Sequence, residues 1–127
     1  MDRTAMVSVD VSRGAEILEI LDHAKLRINV ALWVFLEEYE DWRLVIAGRQ
    51  LNSVDPRDSY RLVREALGAA GFEPQKKPPV LILSMGDPFI RELRQIFGKA
   101  RSVDGMRLGG QMIGDRFILD AYVYRIS

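Results

Sequence analysis

Cysteine is absent from the 127-residue chain, and histidine occurs once, at position 23. The first absence removes disulfides, thiolate nucleophiles and Cys-ligated metals together, and the second leaves too few imidazoles for a histidine-based zinc site. A Ser-His-Asp arrangement would have to use His23, which sits between Asp22 and Ala24 on the outer part of an amphipathic segment and reads as a solvated surface residue. Neither sign of charge is in excess. Eighteen Lys and Arg balance eighteen Asp and Glu at a pI of 6.6, which argues against the broad positive field of a nonspecific nucleic-acid binder. Arg outnumbers Lys by 14 to 4, so a local patch suited to carboxylate or phosphate contacts stays open. Long hydrophobic runs are also missing. The longest strictly apolar run, VALWVFL, is far below the roughly 20 residues that span a bilayer, and MDRTAMVSVDVSRGAE carries no signal-like apolar region. The expected location is the cytoplasm, without membrane contact.

The motifs of common chemistries are missing as well. Ser84 follows an apolar run, yet ILSMG lacks the first glycine of a nucleophile elbow, and no Gly-rich loop ends in Lys-Ser or Lys-Thr. The acidic group Glu37, Glu38, Glu40 and Asp41 has no glycine to bend it around a cation and reads as a solvated hairpin tip. A metal nuclease commonly sets a lysine beside a strand carboxylate, but Lys25, Lys76, Lys77 and Lys99 all fall off the expected strands. No catalytic residue, metal ligand or cofactor is expected, and a non-enzyme is favoured.

What is present is an ordinary globular composition, 48% hydrophobic and 28% charged, enough for one core. Residues 1–127 form one expected domain, with 1–11 a loose tail or short edge strand. From Ser12 to Arg27 the apolar residues Ile17, Leu21, Ala24 and Ile28 recur at helical spacing. The period then drops to two, and INVALWVFLEEYEDWRLVIAG reads as a hairpin. Setting Leu36 opposite Trp42 brings Val34 to Leu44 and Leu32 to Ile46, an all-apolar face. Asp55 and Pro56 start a second helix, with Tyr60, Val63, Leu67 and Ala70 as its stripe and Gly71 as its stop. Beyond the proline-rich FEPQKKPP, the run VLIL reads as a central strand buried on both faces. Pro88 opens a third helix with Phe89, Ile90, Leu93, Ile96 and Phe97 inward. A second hairpin closes the chain, turning at Gly114 and Asp115 and setting Asp120 opposite Gly109. The expected fold is α/β, bordering on α+β, a five-stranded mixed sheet with three helices ordered α-β-β-α-β-α-β-β. Parallel crossovers are expected from the second strand to the third and from the third to the fourth.

Three groups of residues are site candidates. The junction VLILSMGDPFIREL places Gly86 and Asp87 where a strand hands over to a helix, with Arg91 and Arg94 on the following turns, an arrangement open to an anion. Asp87 and Pro88 are also fully explained as cap and first helical residue, and the cap carboxylate would repel a phosphate. Asp120 lies within a strand and needs a partner, for which Arg107 and Arg125 are nearest. Apolar residues fall on both faces of the final strand, Phe117, Leu119, Ala121 and Val123 on one, Ile118, Asp120, Tyr122, Tyr124 and Ile126 on the other. With Trp33 and Phe35, the residues Tyr122 and Tyr124 are therefore interface candidates, or else core. The function expected is that of a nonenzymatic interaction or regulatory module acting through a protein partner or a homodimer. The alternative is an anion or nucleic-acid binder, a divergent metal-dependent nuclease among the options, using Arg91, Arg94, Arg107, Arg116 and Arg125 with Asp87 or Asp120.

Overall fold

A computed structural model describes residues 8–72, 79–100 and 102–127. Expectations for residues 1–7 and 73–78 lie outside the described residues. Helix α1 spans Ser8–His23, so it begins before Ser12 and stops short of Arg27. Lys25 and Arg27 take left-handed φ values of 62° and 48°, which a helix cannot continue through. Ile28 reaches the same core as Ile17 and Leu21, but from the connecting loop.

Strands β1 (Val30–Leu36) and β2 (Asp41–Ala47) form the expected hairpin in a different register. Phe35 faces Trp42, Val34 faces Arg43 and Trp33 faces Leu44, one residue away from the expected pairing. The physical reason is that every β1 residue is buried, so neither face is reserved for water and alternation loses its power to select a register. Closure falls instead to the turn. Residues 37–40 make the loop, with Glu40 at φ 49°, and Asp41 already belongs to β2.

After a 3-10 turn at Arg49–Leu51, α2 runs Pro56–Ala69, its first turn capped by Asp55, whose carboxylate accepts from the Arg57 amide at 3.0 Å. Val63 and Leu67 are its buried stripe, and buried Ser59 donates to the Leu51 carbonyl at 2.7 Å. Strand β3 (Val80–Ile82) then pairs with β2 in parallel, as the first crossover requires. It is an edge strand and only partly buried, not a central one. An apolar run cannot report which position in the sheet it occupies, and here α2 covers one face while the outer edge is closed by the Tyr60 hydroxyl, which accepts from the Ile82 amide at 3.0 Å.

Helix α3 (Pro88–Phe97) buries Phe89, Ile90 and Leu93, whereas Ile96 is 57% exposed instead of facing inward. The chain then crosses to the opposite edge. Strands β4 (Arg107–Leu108) and β5 (Gln111–Ile113) both pair antiparallel with β6 (Arg116–Ile126), so the fourth strand does not follow the third in parallel. Register and turn of this second hairpin are as expected, with Ile113 facing Arg116 across Gly114 and Asp115. Its first strand is split in two at Gly109 and Gly110, which raises the strand count from five to six. The sheet order is β3-β2-β1-β6-β4, with β5 also on β6, a mixed sheet with three helices.

Strand β6 departs from simple alternation. Its register on β1 shifts twice, between Ala31 and Leu32 and between Phe35 and Leu36, and each irregularity changes which parity points inward. Ile118, Ala121, Val123 and Ile126 consequently share the face packed by α3, together with Leu32, Val34 and Leu36. This corrects the two expected faces of the last strand. Trp33, Phe35, Leu44 and Ile46 form the other layer under α1 and α2, with Tyr122 and Tyr124 at its margin. Both faces of the sheet thus carry a core, α3 on one side and α1 with α2 on the other. Among the described residues no helix is long and apolar enough to cross a membrane.

Candidate functional site

The junction ahead of α3 is held entirely by internal hydrogen bonds. The Met85 amide donates to the Asn52 side-chain oxygen at 2.9 Å, Gly86 to the Ser84 hydroxyl at 3.0 Å, and Asp87 to the Ser84 carbonyl at 3.0 Å. The Asp87 carboxylate in turn accepts from the Phe89 amide at 2.9 Å. The β5–β6 turn lies against this helix start. A Cβ on Gly114 would come within 2.6 Å of the Pro88 and Phe89 backbone, and the Gly114 amide donates to the Glu92 carboxylate. The Met85, Gly86, Asp87 and Phe89 amides are therefore spent on the fold. Arg91 and Arg94 are not gathered with Gly86 and Asp87. They line a 440 Å³ surface depression with Gln95, Gly98, Lys99 and Ser127, where the Arg94 Nε donates to the Ser127 carbonyl at 2.8 Å.

Asp120 pairs with one of its two candidates. The Arg107 guanidinium lies 2.5 Å from its carboxylate, while the other carboxylate oxygen accepts from the Ala121 amide at 2.8 Å. Arg125 goes elsewhere. It makes two hydrogen bonds to Asp22, of 3.0 and 2.8 Å, and one to the Ile28 carbonyl at 2.9 Å, tying the end of β6 to the end of α1. The Asp22 carboxylate raises the Arg125 pKa above its ordinary value, so this guanidinium stays charged at any working pH. Arg116 is engaged by Glu38 at 2.8 Å. Of the five arginines named in the anion-binding alternative, three are thus neutralised by carboxylates.

The four aromatic interface candidates divide by depth. Trp33 and Phe35 are 2% and 4% exposed and lie in the layer under α1, with no surface to offer a partner. Tyr122 and Tyr124 are half-buried and stack edge to face at 5.4 Å between ring centres. The Tyr124 hydroxyl accepts from the Trp33 indole at 3.0 Å and donates to the Val11 carbonyl at 2.5 Å, which commits it to holding α1.

The exposed apolar surface is elsewhere, in residues not singled out from the sequence. Met112 is 60%, Phe117 40% and Leu119 39% exposed. Met112 and Phe117 face each other across the β5–β6 ladder, and Phe117 and Leu119 flank buried Ile118. Because Ile113 and Ile118 point into the α3 side, this group lies on the other face of the sheet, at an end that α1 and α2 leave open. The signal was present in the sequence as the Met112–Phe117 pairing, but an unbroken alternation had joined Phe117 and Leu119 to Ala121 and Val123. Beside the patch is a 220 Å³ depression lined by Leu36, Glu37, Glu38, Asp115, Arg116 and Phe117, so its rim is mainly acidic. Among the described residues no three potential metal-ligating side chains converge. Comparison with protein families, with characterised proteins and with solved structures gives no match.

Proposed function

We propose that the protein is a nonenzymatic cytoplasmic interaction module that works through protein-protein contacts at the open face of the β5–β6 hairpin. The observation that carries this reading is the adjacency of Met112, Phe117 and Leu119, three large apolar side chains at 39 to 60% exposure on one hairpin. Clustered apolar surface with a polar rim is what a protein interface requires: the apolar centre supplies affinity by excluding water, and the charged rim selects the partner. The acidic residues Glu37, Glu38 and Asp115 beside Phe117 supply such a rim and favour a partner with basic side chains. Either a second copy or a different protein satisfies this geometry.

Photo-crosslinking from Met112 in the source cell, combined with light scattering of the purified chain, tests the reading. A discrete crosslinked product, or a dimer, that disappears in Phe117→Asp while folding is retained supports it. A strict monomer with no product from Met112, or a product indifferent to Phe117→Asp, overturns it.

A further inference from the structure

The charges of this neutral chain are not evenly spread. One end of the sheet, formed by the loop 37–40 and the β5–β6 turn, carries five carboxylates, Glu37, Glu38, Glu40, Asp41 and Asp115, against two cations, Arg43 beside Asp41 and Arg116 beside Glu38. The opposite end is where β1 begins and β2 and β6 finish, and there the chain places Lys25, Arg27, Arg49, Arg91, Arg94 and Lys99. Their grouping follows from a continuous set of contacts. Arg94 donates to the Ser127 carbonyl, the Ser127 amide donates to the Asn29 carbonyl at 2.9 Å, and the Asn29 amide donates to the Ala47 carbonyl at 2.8 Å. Next along β2, Gly48 lies so close to Arg27 that a Cβ would come within 2.6 Å of its carbonyl, and Arg49 follows. Three neighbouring strand ends, roughly 10 Å across, therefore link the α3 depression to the loops bearing Arg27 and Arg49. Arg94 is held by the main-chain oxygen of Ser127, and among the described residues the other five pair with no carboxylate, in contrast to Arg107, Arg116 and Arg125. Asp22, which also lies at this end, is already engaged by Arg125.

We infer that this end is a second binding surface, one that takes the phosphate backbone of duplex nucleic acid. The choice of ligand rests on what accompanies the charge. A protein partner would need clustered apolar anchors, yet among the described residues the exposed large apolar side chains near this end are two single ones on different elements, Ile96 on α3 and Val54 in the connection that follows Arg49. A single strand would need aromatic rings to stack its bases, and among the described residues no exposed ring lies there. What remains is forked guanidinium and ammonium donors over an open, shallow surface, which suits backbone phosphates and carries no base readout. The acidic far end repels the same polyanion, so the chain's own dipole orients the approach despite a net charge of zero.

Fluorescence anisotropy with a labelled 20-base-pair duplex tests the inference, beside a single strand of equal length and a poly-glutamate peptide of similar charge. The expected result is binding that weakens with a log-log salt slope of about −3 or steeper, as for contacts to at least three phosphates. Arg49→Glu combined with Arg91→Glu and Lys99→Glu, all exposed positions, is expected to weaken it at least tenfold while the circular dichroism spectrum is unchanged. Amide shift mapping on the unaltered protein is expected to move residues 25–29, 48–50 and 91–99. Absence of duplex binding at 50 mM salt, binding indifferent to the charge reversal, or tighter binding of the single strand or the peptide would each overturn it. The Phe117→Asp variant is expected to bind the duplex as the unaltered protein does, so the two surfaces stand or fall separately.

Discussion

The Tyr124 hydroxyl occupies the space a side chain at Gly14 would need: a Cβ there would lie 2.3 Å from that oxygen and 2.7 Å from the Trp33 indole nitrogen. Glycine in mid-helix is costly for local propensity, by about 1 kcal/mol relative to alanine, and here the cost is offset by close docking of α1 on the sheet. Gly14→Ala should therefore destabilise the fold by about 1–3 kcal/mol despite its better helix propensity, because overpacking outweighs the gain. Urea unfolding of Gly14→Ala beside Tyr124→Phe checks this. A stabilised Gly14→Ala would show that α1 is not seated as described.

A similar close approach fixes the start of α3. Gly114 has φ 60° and its would-be Cβ meets the Pro88 and Phe89 backbone, so Gly114→Ala combines left-handed strain with a backbone clash. The expected loss is on the order of 2 kcal/mol, against about 1 kcal/mol for removing the cap in Asp87→Ala. Thermal unfolding of both variants measures the order. If Asp87→Ala proves the more damaging, the turn does not press on the helix start.

Of these two glycines, Gly114 was legible in the sequence as a turn residue, whereas the close packing at Gly14 was not. Turn chemistry is local, so Gly114-Asp115, Asp55-Pro56 and Asp87-Pro88 were legible as turn and caps and took those places. Strand faces and strand order are not local. With β1 buried along its whole length, no solvent-facing residue distinguished one hairpin register from the next, and the irregularities in β6 that regroup Ile118 with Ala121 depend on pairing with a strand some 85 residues earlier in the chain. The apolar patch was missed for that reason. At the basic end Arg91 and Arg94 were named from the sequence, whereas Arg27 and Arg49 were not, because they come beside the end of β6 only through the sheet order.

Tyr60 offers a test of that order. Its hydroxyl accepts from the Ile82 amide on the outer edge of β3, a donor that otherwise faces solvent or another chain. Tyr60→Phe should cost about 1 kcal/mol. Hydrogen exchange at Ile82 should accelerate, whereas Leu83, whose amide donates inward to the Ile46 carbonyl at 3.0 Å, should be affected only through global stability. Equal change at both amides would mean that β3 does not lie at the edge in the orientation described.

The acid limb of stability should carry a contribution from the cap of α2. The Arg57 side chain, followed by its amide, holds the Asp55 carboxyl below the usual carboxylate range, and Asp55 in turn raises Arg57. The sign follows from which form the fold prefers. A carboxyl whose pKa is lower in the folded state binds protons more readily when unfolded, so its stabilisation is fully present above the unfolded value of about 4 and fades as pH falls through the lower folded value. Carbon-detected NMR titration should find Asp55 titrating below the ordinary aspartate value, and Arg57→Ala should move it back towards that value because the guanidinium hydrogen bonds are gone. The amide of residue 57 still donates to the carboxylate in that variant, so a residual depression is expected to persist. An Asp55 titration unchanged by Arg57→Ala would show that the guanidinium does not hold the carboxylate, and the cap would then rest on the backbone amide alone.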